Sequence, residues 1–444
     1  MKTEIATDAP VVSAEDPPPQ LEDPYQSQAH AVSTNSRPVR EMPSAKWSDW
    51  HWQMRHRIRS VSELQRYFLA VDTSGIARAA EIFPLAITPY YASLIRRADP
   101  SDPIFRMCVP QIEELSDPEF LSDDPLEENE DMPVPGLVHR YPDRALFIVT
   151  TTCASYCRHC TRKRVAGSRE SSISARRLDM AVAYLSAHPE ISDVILSGGD
   201  PFTMPTDALE RVLAALRGVP SIDIIRIGTR TPVVMPMRIT EELTSMLRRY
   251  HPVWVNTHFN HPSELTREAA DACARLVDAG VPMGNQSVLL AGINDDPLII
   301  ERLCRGLVKM RVRPYYLFQC DLVRGVEHFR TPLSRGIEIM EYMRGRVSGI
   351  AIPQFVVDAP HGGGKIPVLP NYIVSTSPTH TVLRNFEGML VSYPEPGARP
   401  AAERATEGRP GVWDLASGAA SAIQPESDRQ VRRKKGTCAL FDGG

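Results

Sequence analysis

A chain of 444 residues, 42% hydrophobic and 23% charged, can bury one large core or two ordinary ones and has the composition of a soluble globular protein. A formal net charge of −4 supplies no electrostatic reason to bind nucleic acid or an anionic membrane. No stretch reaches the roughly 18 apolar residues of a bilayer span. Met1-Lys2-Thr3-Glu4 leads into acidic, proline-rich sequence with no apolar signal region, so the expected location is cytoplasmic.

Residues 1–43 hold seven prolines, several acidic groups and few large apolar side chains, the composition of a disordered extension. Trp47, Trp50 and Trp52 then open a denser region, 44–140, read as mainly helical from patterns such as Ser60-Val61-Ser62-Glu63-Leu64. From 141 to 375 short apolar runs alternate with amphipathic segments. Strands are expected at 145–150, 193–197, 223–228, 253–258, 281–288 and 314–320, with helices near 176–187, 206–217, 239–249, 263–279, 297–311 and 334–346. In the fourth helix Ser263 reads as the N-cap, Leu265, Ala269, Ala272, Cys273 and Leu276 share one face, and Gly280 is the stop. Six βα units whose strands read as apolar throughout predict a parallel sheet covered by helices. Six are too few for a closed eightfold barrel, so the expected α/β architecture is a partial (β/α)6 barrel. A further strand at 350–357 leads into a glycine-rich loop. Residues 376–444 read as a C-terminal extension, largely irregular after 393 and ending near the basic run Arg432-Arg433-Lys434-Lys435.

The chemistry starts with cysteine. Of eight cysteines, three crowd into Cys153-x-x-x-Cys157-x-x-Cys160, directly after the first expected barrel strand, where α/β folds place their sites. Scattered disulfides do not fit that crowding in a cytosolic chain. Zinc sites pair two Cys-x-x-Cys units or add histidines, and beyond His159 no such partner set is present. Three thiolates on one loop suit three irons of a four-iron cluster, leaving the fourth iron open to a ligand. In this position the motif resembles the radical S-adenosylmethionine (SAM) superfamily. The resemblance implies a [4Fe-4S] cluster on Cys153, Cys157 and Cys160 with SAM chelated to the open iron and cleaved reductively to a 5′-deoxyadenosyl radical. Ser197-Gly198-Gly199-Asp200 is similar to that superfamily's segment for the methionine amino group, where small residues let backbone approach a ligand.

Asp358-Ala359-Pro360-His361-Gly362-Gly363-Gly364-Lys365 closes the last strand. An isolated GGGK reads as a mobile turn with a solvated lysine, and no P-loop is formed. Its neighbourhood changes that reading. HRYPDR (139–144), TTTCASYCRHCTRKR (150–164), NQSVLLAGIND (285–295), CDLVRGVEHFRTP (320–332) and DAPHGGGKIPVLPNY (358–372) together resemble the lysine 2,3-aminomutase family from about Trp47 to Pro394. The resemblance implies that Lys365 carries pyridoxal 5′-phosphate as an imine. Arg140, Tyr141 and Arg144 would lie at its phosphate end, and His159 and Gln286, with Ser197, Gly198 and Gly199, would hold SAM.

Members of the family differ at the far end of the substrate. The lysine enzymes carry two aspartates for the distal ammonium and an arginine for the α-carboxylate; here Asp321, Asp358 and Arg162 stand at those motif positions. Two carboxylates in one pocket require a cation between them and reject a substrate carboxylate. The implied activity is therefore a lysine 2,3-aminomutase that interconverts L-lysine and β-lysine, with arginine as the alternative substrate because its fork also bridges two carboxylates. A modifier of a protein-bound lysine shares both cofactor motifs. A tRNA methylthiolating enzyme needs further cluster cysteines and a basic RNA-binding domain, and a non-catalytic cluster protein leaves Lys365 unexplained. The expected electron donor is a flavodoxin or ferredoxin, and a homo-oligomer is expected. The family's additional zinc site is not expected here, because Asp295-Asp296 stand at one of its positions and the tail holds Cys438 alone.

Overall fold

The computed structural model describes residues 44–396 apart from 69–70, 72, 167–169, 361 and 377–379. The expected N-terminal extension, the basic tail with Cys438, and His361 of the glycine loop lie outside the described residues. Nine strands form one open sheet in sequential order: β1 (Leu137–Tyr141), β2 (Arg144–Thr150), β3 (Asp193–Gly198), β4 (Ile224–Gly228), β5 (Val253–Thr257), β6 (Met283–Leu289), β7 (Arg313–Gln319), β8 (Gln354–Ala359) and β9 (Gly364–Pro367). β2 to β8 are parallel, with antiparallel β1 and β9 at the two edges. The fold is the expected α/β partial barrel. All seven parallel strands coincide with apolar runs in the sequence; β1 and β9 carry no such signal.

Helices follow the strands at 175–187, 206–217, 241–248, 267–278, 297–309 and 333–343. Four of them start on a side-chain cap. Ser174, Thr240, Thr266 and Asp296 accept from the backbone N–H of Arg177, Leu243, Ala269 and Leu298, satisfying donors that the first helical turn leaves open. The fourth helix is thus capped by Thr266 rather than Ser263, which sits in a preceding 3₁₀ turn, Pro262–Glu264. Its apolar face, Ala269, Ala272, Cys273 and Leu276, is buried as read, and Gly280 leaves the helix at φ +81°.

The strands are not apolar throughout. On β3, Val194 and Leu196 point outward into the core under the helices, while Asp193, Ile195 and Ser197 line a cavity on the other face. β4 and β5 repeat the alternation: Ile225, Ile227, Val253 and Val255 are in the core, and Arg226, Trp254 and Asn256 line the cavity. The concave face of the sheet is thus lined by polar as well as apolar groups, as suits a ligand-holding lumen rather than a second core. After β9, residues 373–394 form a separate antiparallel meander, Ile373–Thr376, His380–Arg384 and Leu390–Pro394, in a region the sequence reading left without elements.

Candidate active site

The cavity enclosed by the sheet has a volume of about 600 Å³. It is bordered by the residues assigned from the sequence to cofactors and substrate: the three cysteines and His159, the Ser197–Gly199 segment, Gln286, the Arg140–Tyr141–Arg144 group, Arg162, Asp321, Asp358 and Lys365. No helix among the described residues is long and apolar enough to cross a membrane.

The cysteine loop leaves the end of β2 and is laced to the N-terminal region. Tyr156 N–H donates to Ala86 O at 2.9 Å and Arg158 N–H to Met107 O at 2.9 Å. Arg57 donates to Cys153 O at 2.6 Å and forks onto Glu170, which also accepts from the Tyr156 hydroxyl. Burial opposes ionisation of Glu170, but these donors outweigh it and hold the carboxyl at about 2. Arg158, 2% exposed, forks onto the fully buried Glu114 at 2.9 and 2.7 Å, with Lys163 at 3.2 Å from the same carboxylate. Such bidentate pairs fix orientation as well as charge. Burial raises the Cys153 and Cys160 thiols, Asp200 and the neighbouring cysteines raise Cys153 further and Cys157 raises Cys160, so the thiolate forms of these two would be favoured by bound cations. Three irons would supply those cations.

At the end of β3 the glycines serve the protein itself. A Cβ on Gly198 would stand 2.4 Å from Thr150 O, and one on Gly199 would stand 2.3 Å from Thr152 O. They let the strand end lie against the base of the cysteine loop, where Gly199 N–H donates to Thr150 O at 2.6 Å. Asp200 is buried and accepts from Phe202 N–H, Arg230 N–H and the Thr229 hydroxyl, so it ties β3 to β4. His159 is buried with Nδ1 lacking a hydrogen-bond partner, an orphaned polar atom that suits a ligand absent from the chain itself. Burial and then Arg230 keep His159 and His258 neutral, His258 at about 4.

Lys365 lies in β9, not in the glycine loop. The β8–β9 register sets it opposite Asp358, so both side chains leave the same face and the ammonium donates to the two Asp358 oxygens at 2.9 and 3.0 Å. The turn depends on Gly364 at φ +84°, where a Cβ would stand 3.1 Å from the Tyr141 hydroxyl, and that hydroxyl accepts from Lys365 N–H at 3.1 Å. The Arg144 guanidinium stacks 4.0 Å from the Tyr141 ring centroid, and Arg140 is held by Asp131 at 2.7 Å. A reactive amine beside an aromatic and two arginines fits an aldehyde that carries a phosphate.

Asp321, just past β7, accepts from the Thr161 hydroxyl. Burial, and then the charge of Asp358, push its carboxyl up to about 6. Arg162 uses Nε and Nη2 on Glu128, at 3.0 and 2.6 Å, and points Nη1 toward the Ser197 hydroxyl at 3.4 Å. Burial opposes the Glu128 charge, but Arg162 and Arg164 prevail and hold it at about 2. Glu128 belongs to the acidic run 127–131, which reads in sequence as a solvated loop, so no local signal marks it. Arg230 and His258 were also missed; their one signal is position, immediately past the ends of β4 and β5.

Residues 340–439 match the family model described as Lysine-2,3-aminomutase, and 147–302 match that of the Radical SAM superfamily. The first match runs beyond Pro394, the end of the motif resemblance in the sequence. The L-lysine 2,3-aminomutase of Clostridium subterminale is 52% identical over 80% of this chain and 86% of its own length. That of Fusobacterium nucleatum is 52% identical over 83% and 87%. The glutamate 2,3-aminomutase of Clostridioides difficile is 45% identical over 78% and 82%. The radical SAM match supports a [4Fe-4S] cluster and SAM as cofactors of this chain. With these similarities over most of its length, and with the three-cysteine loop set against the concave face of a partial barrel, the chain belongs to the lysine 2,3-aminomutase family of radical SAM enzymes.

Proposed function

We propose that this protein is an L-lysine 2,3-aminomutase, interconverting L-lysine and β-lysine, and that it uses pyridoxal 5′-phosphate on Lys365 beside the cluster and SAM. The observation that carries the reading is the pair of carboxylates, Asp321 and Asp358, bordering one cavity, with the Lys365 ammonium bound to Asp358 and Asp321 close enough for the two carboxylates to repel each other. A pocket built this way favours a cationic side chain and opposes the anionic one of a glutamate substrate.

When bound, the cofactors supply a carbon-centred radical and a conjugated ring able to delocalise it. The chain's own residues do the rest. Arg162, braced by Glu128, offers its remaining guanidinium edge to the α-carboxylate. Asp321 and Asp358 hold the distal ammonium, and the cavity wall limits water around the reacting carbons. A second cavity of about 330 Å³ borders all three cysteines, with Phe83, Tyr156 and Arg324 in its wall; a flavodoxin or ferredoxin would deliver its electron from this side.

The test is charge selectivity. Asp321→Asn and Asp358→Asn should each keep cluster, SAM and pyridoxal phosphate, yet lower kcat/KM for lysine by roughly two to three decades, the scale of a broken buried ion pair. Near-normal turnover of lysine by the doubly substituted protein would place selectivity elsewhere. A second expectation follows from the raised Asp321 carboxyl. The cationic substrate needs the ionised form, so kcat/KM should fall as pH drops through about 6, by about tenfold per unit at most for one proton. The limb should vanish in Asp321→Asn; a profile flat from pH 7 to 5 in the unsubstituted enzyme contradicts it.

A further inference from the structure

One buried cation in the site has no role in holding lysine. Arg230, 6% exposed and just past β4, donates from Nη1 to the Cys157 sulfur at 2.9 Å. Three more of its donors are committed: Nη2 to the Tyr91 hydroxyl at 2.7 Å and to Glu264 Oε1 at 2.6 Å, and Nε to His258 O at 3.3 Å. Its own backbone N–H is fixed on Asp200 at 2.8 Å. Glu264 is fully buried and is itself held by the backbone N–H groups of Asn260 and His261. The guanidinium therefore cannot swing away from the cysteine loop. It is a permanent charge aimed at one cluster ligand, with its counter-charge on the far side.

Three thiolates on a [4Fe-4S] core carry net negative charge, and accepting an electron adds one more unit beside largely buried side chains. Hydrogen bonds to the ligand sulfurs and fixed charges nearby are the protein's means of setting that cost. We propose that Arg230 is a positioning residue that raises the reduction potential of the cluster through Cys157, easing entry of the electron that starts each radical cycle, and that Glu264 moderates this effect. The inference rests on the cluster assignment and is independent of which amino acid is the substrate.

The test is an EPR-monitored redox titration of anaerobically reconstituted full-length protein without SAM, with iron and sulfide content as the control. At a fixed applied potential, Arg230→Gln should show a reduced-to-oxidised ratio about tenfold lower, equivalent to about 59 mV for one electron. Arg230→Lys, which keeps the charge, should recover part of that loss. Glu264→Gln removes the counter-charge and should shift the potential upward. Both Gln variants holding four irons at the unsubstituted potential would make Arg230 a structural tie only, leaving the aminomutase reading intact. Should Arg230→Gln fail to assemble the cluster, Glu264→Gln decides, an upward shift supporting the inference and none overturning it.

Discussion

Cys157→Ala protein is expected to leave anaerobic reconstitution without a stable four-iron cluster and to convert no lysine. Cys157 is the middle cysteine of the loop, and its sulfur is the one that meets Arg230. Losing it leaves two thiolates for a core that needs three, and it leaves the Arg230 and Glu264 pair facing an empty position. The fold should persist, because the loop is tied down through Tyr156, Arg158 and the Cys153 carbonyl rather than through Cys157. Cys273 and Cys304 give the contrast. Both are packed in cores, and burial pushes their thiols up to about 12, so substituting them should cost stability while leaving the cluster in place. Iron and sulfide analysis with low-temperature EPR checks the pair of results. Stoichiometric zinc without sulfide in unsubstituted protein prepared without oxygen would overturn the cluster assignment.

Lys365→Ala should abolish the imine absorbance of pyridoxal-loaded protein and lower turnover by roughly three to four decades or more, the scale of deleting a covalent catalytic group. Borohydride reduction of unsubstituted enzyme should fix the cofactor on Lys365 alone in a peptide map; an adduct on another lysine rejects the assignment. Geometry makes Lys365 the candidate for two reasons. Its side chain is 35% exposed, so the amine can be reached, and its removal opens no core cavity. Its backbone is pinned by the Asp358 pairing and by the Tyr141 hydroxyl, so the amine is presented from a strand rather than from a loose loop.

Local order was largely legible in the sequence. The apolar runs of β2 to β8 and the amphipathic helices between them follow from periodicity, because burying one helix face and one sheet face is the same requirement at every repeat. The Cys153–Cys160 spacing and the run ending at Lys365 are short enough that chemistry and sequence coincide, and the broader resemblance added the aspartates. A strand with one lumen-facing side, such as Asp193–Gly198, still reads as apolar because its outward residues dominate the average. Ser263 reads as a cap because capping residues are frequent, whereas the hydrogen bond that decides the matter belongs to Thr266.

Tertiary structure alone decided the partners. Glu128 braces Arg162 from 34 positions away, Glu264 and Tyr91 hold Arg230, and Glu114 receives both Arg158 and Lys163. Each pair joins the N-terminal region or a distant strand end to the site, and acidic residues in such segments look solvated when read alone. The placement of Lys365 opposite Asp358 likewise depends on where an antiparallel edge strand folds back, a register set by the Gly362–Gly364 turn and not by any local preference of the lysine. Sequence determined which chemical groups this protein possesses and where along the chain they stand. Only the curling of the sheet and the packing of the N-terminal region against it determined which of them meet, because charge pairing acts through space and has no period along the chain.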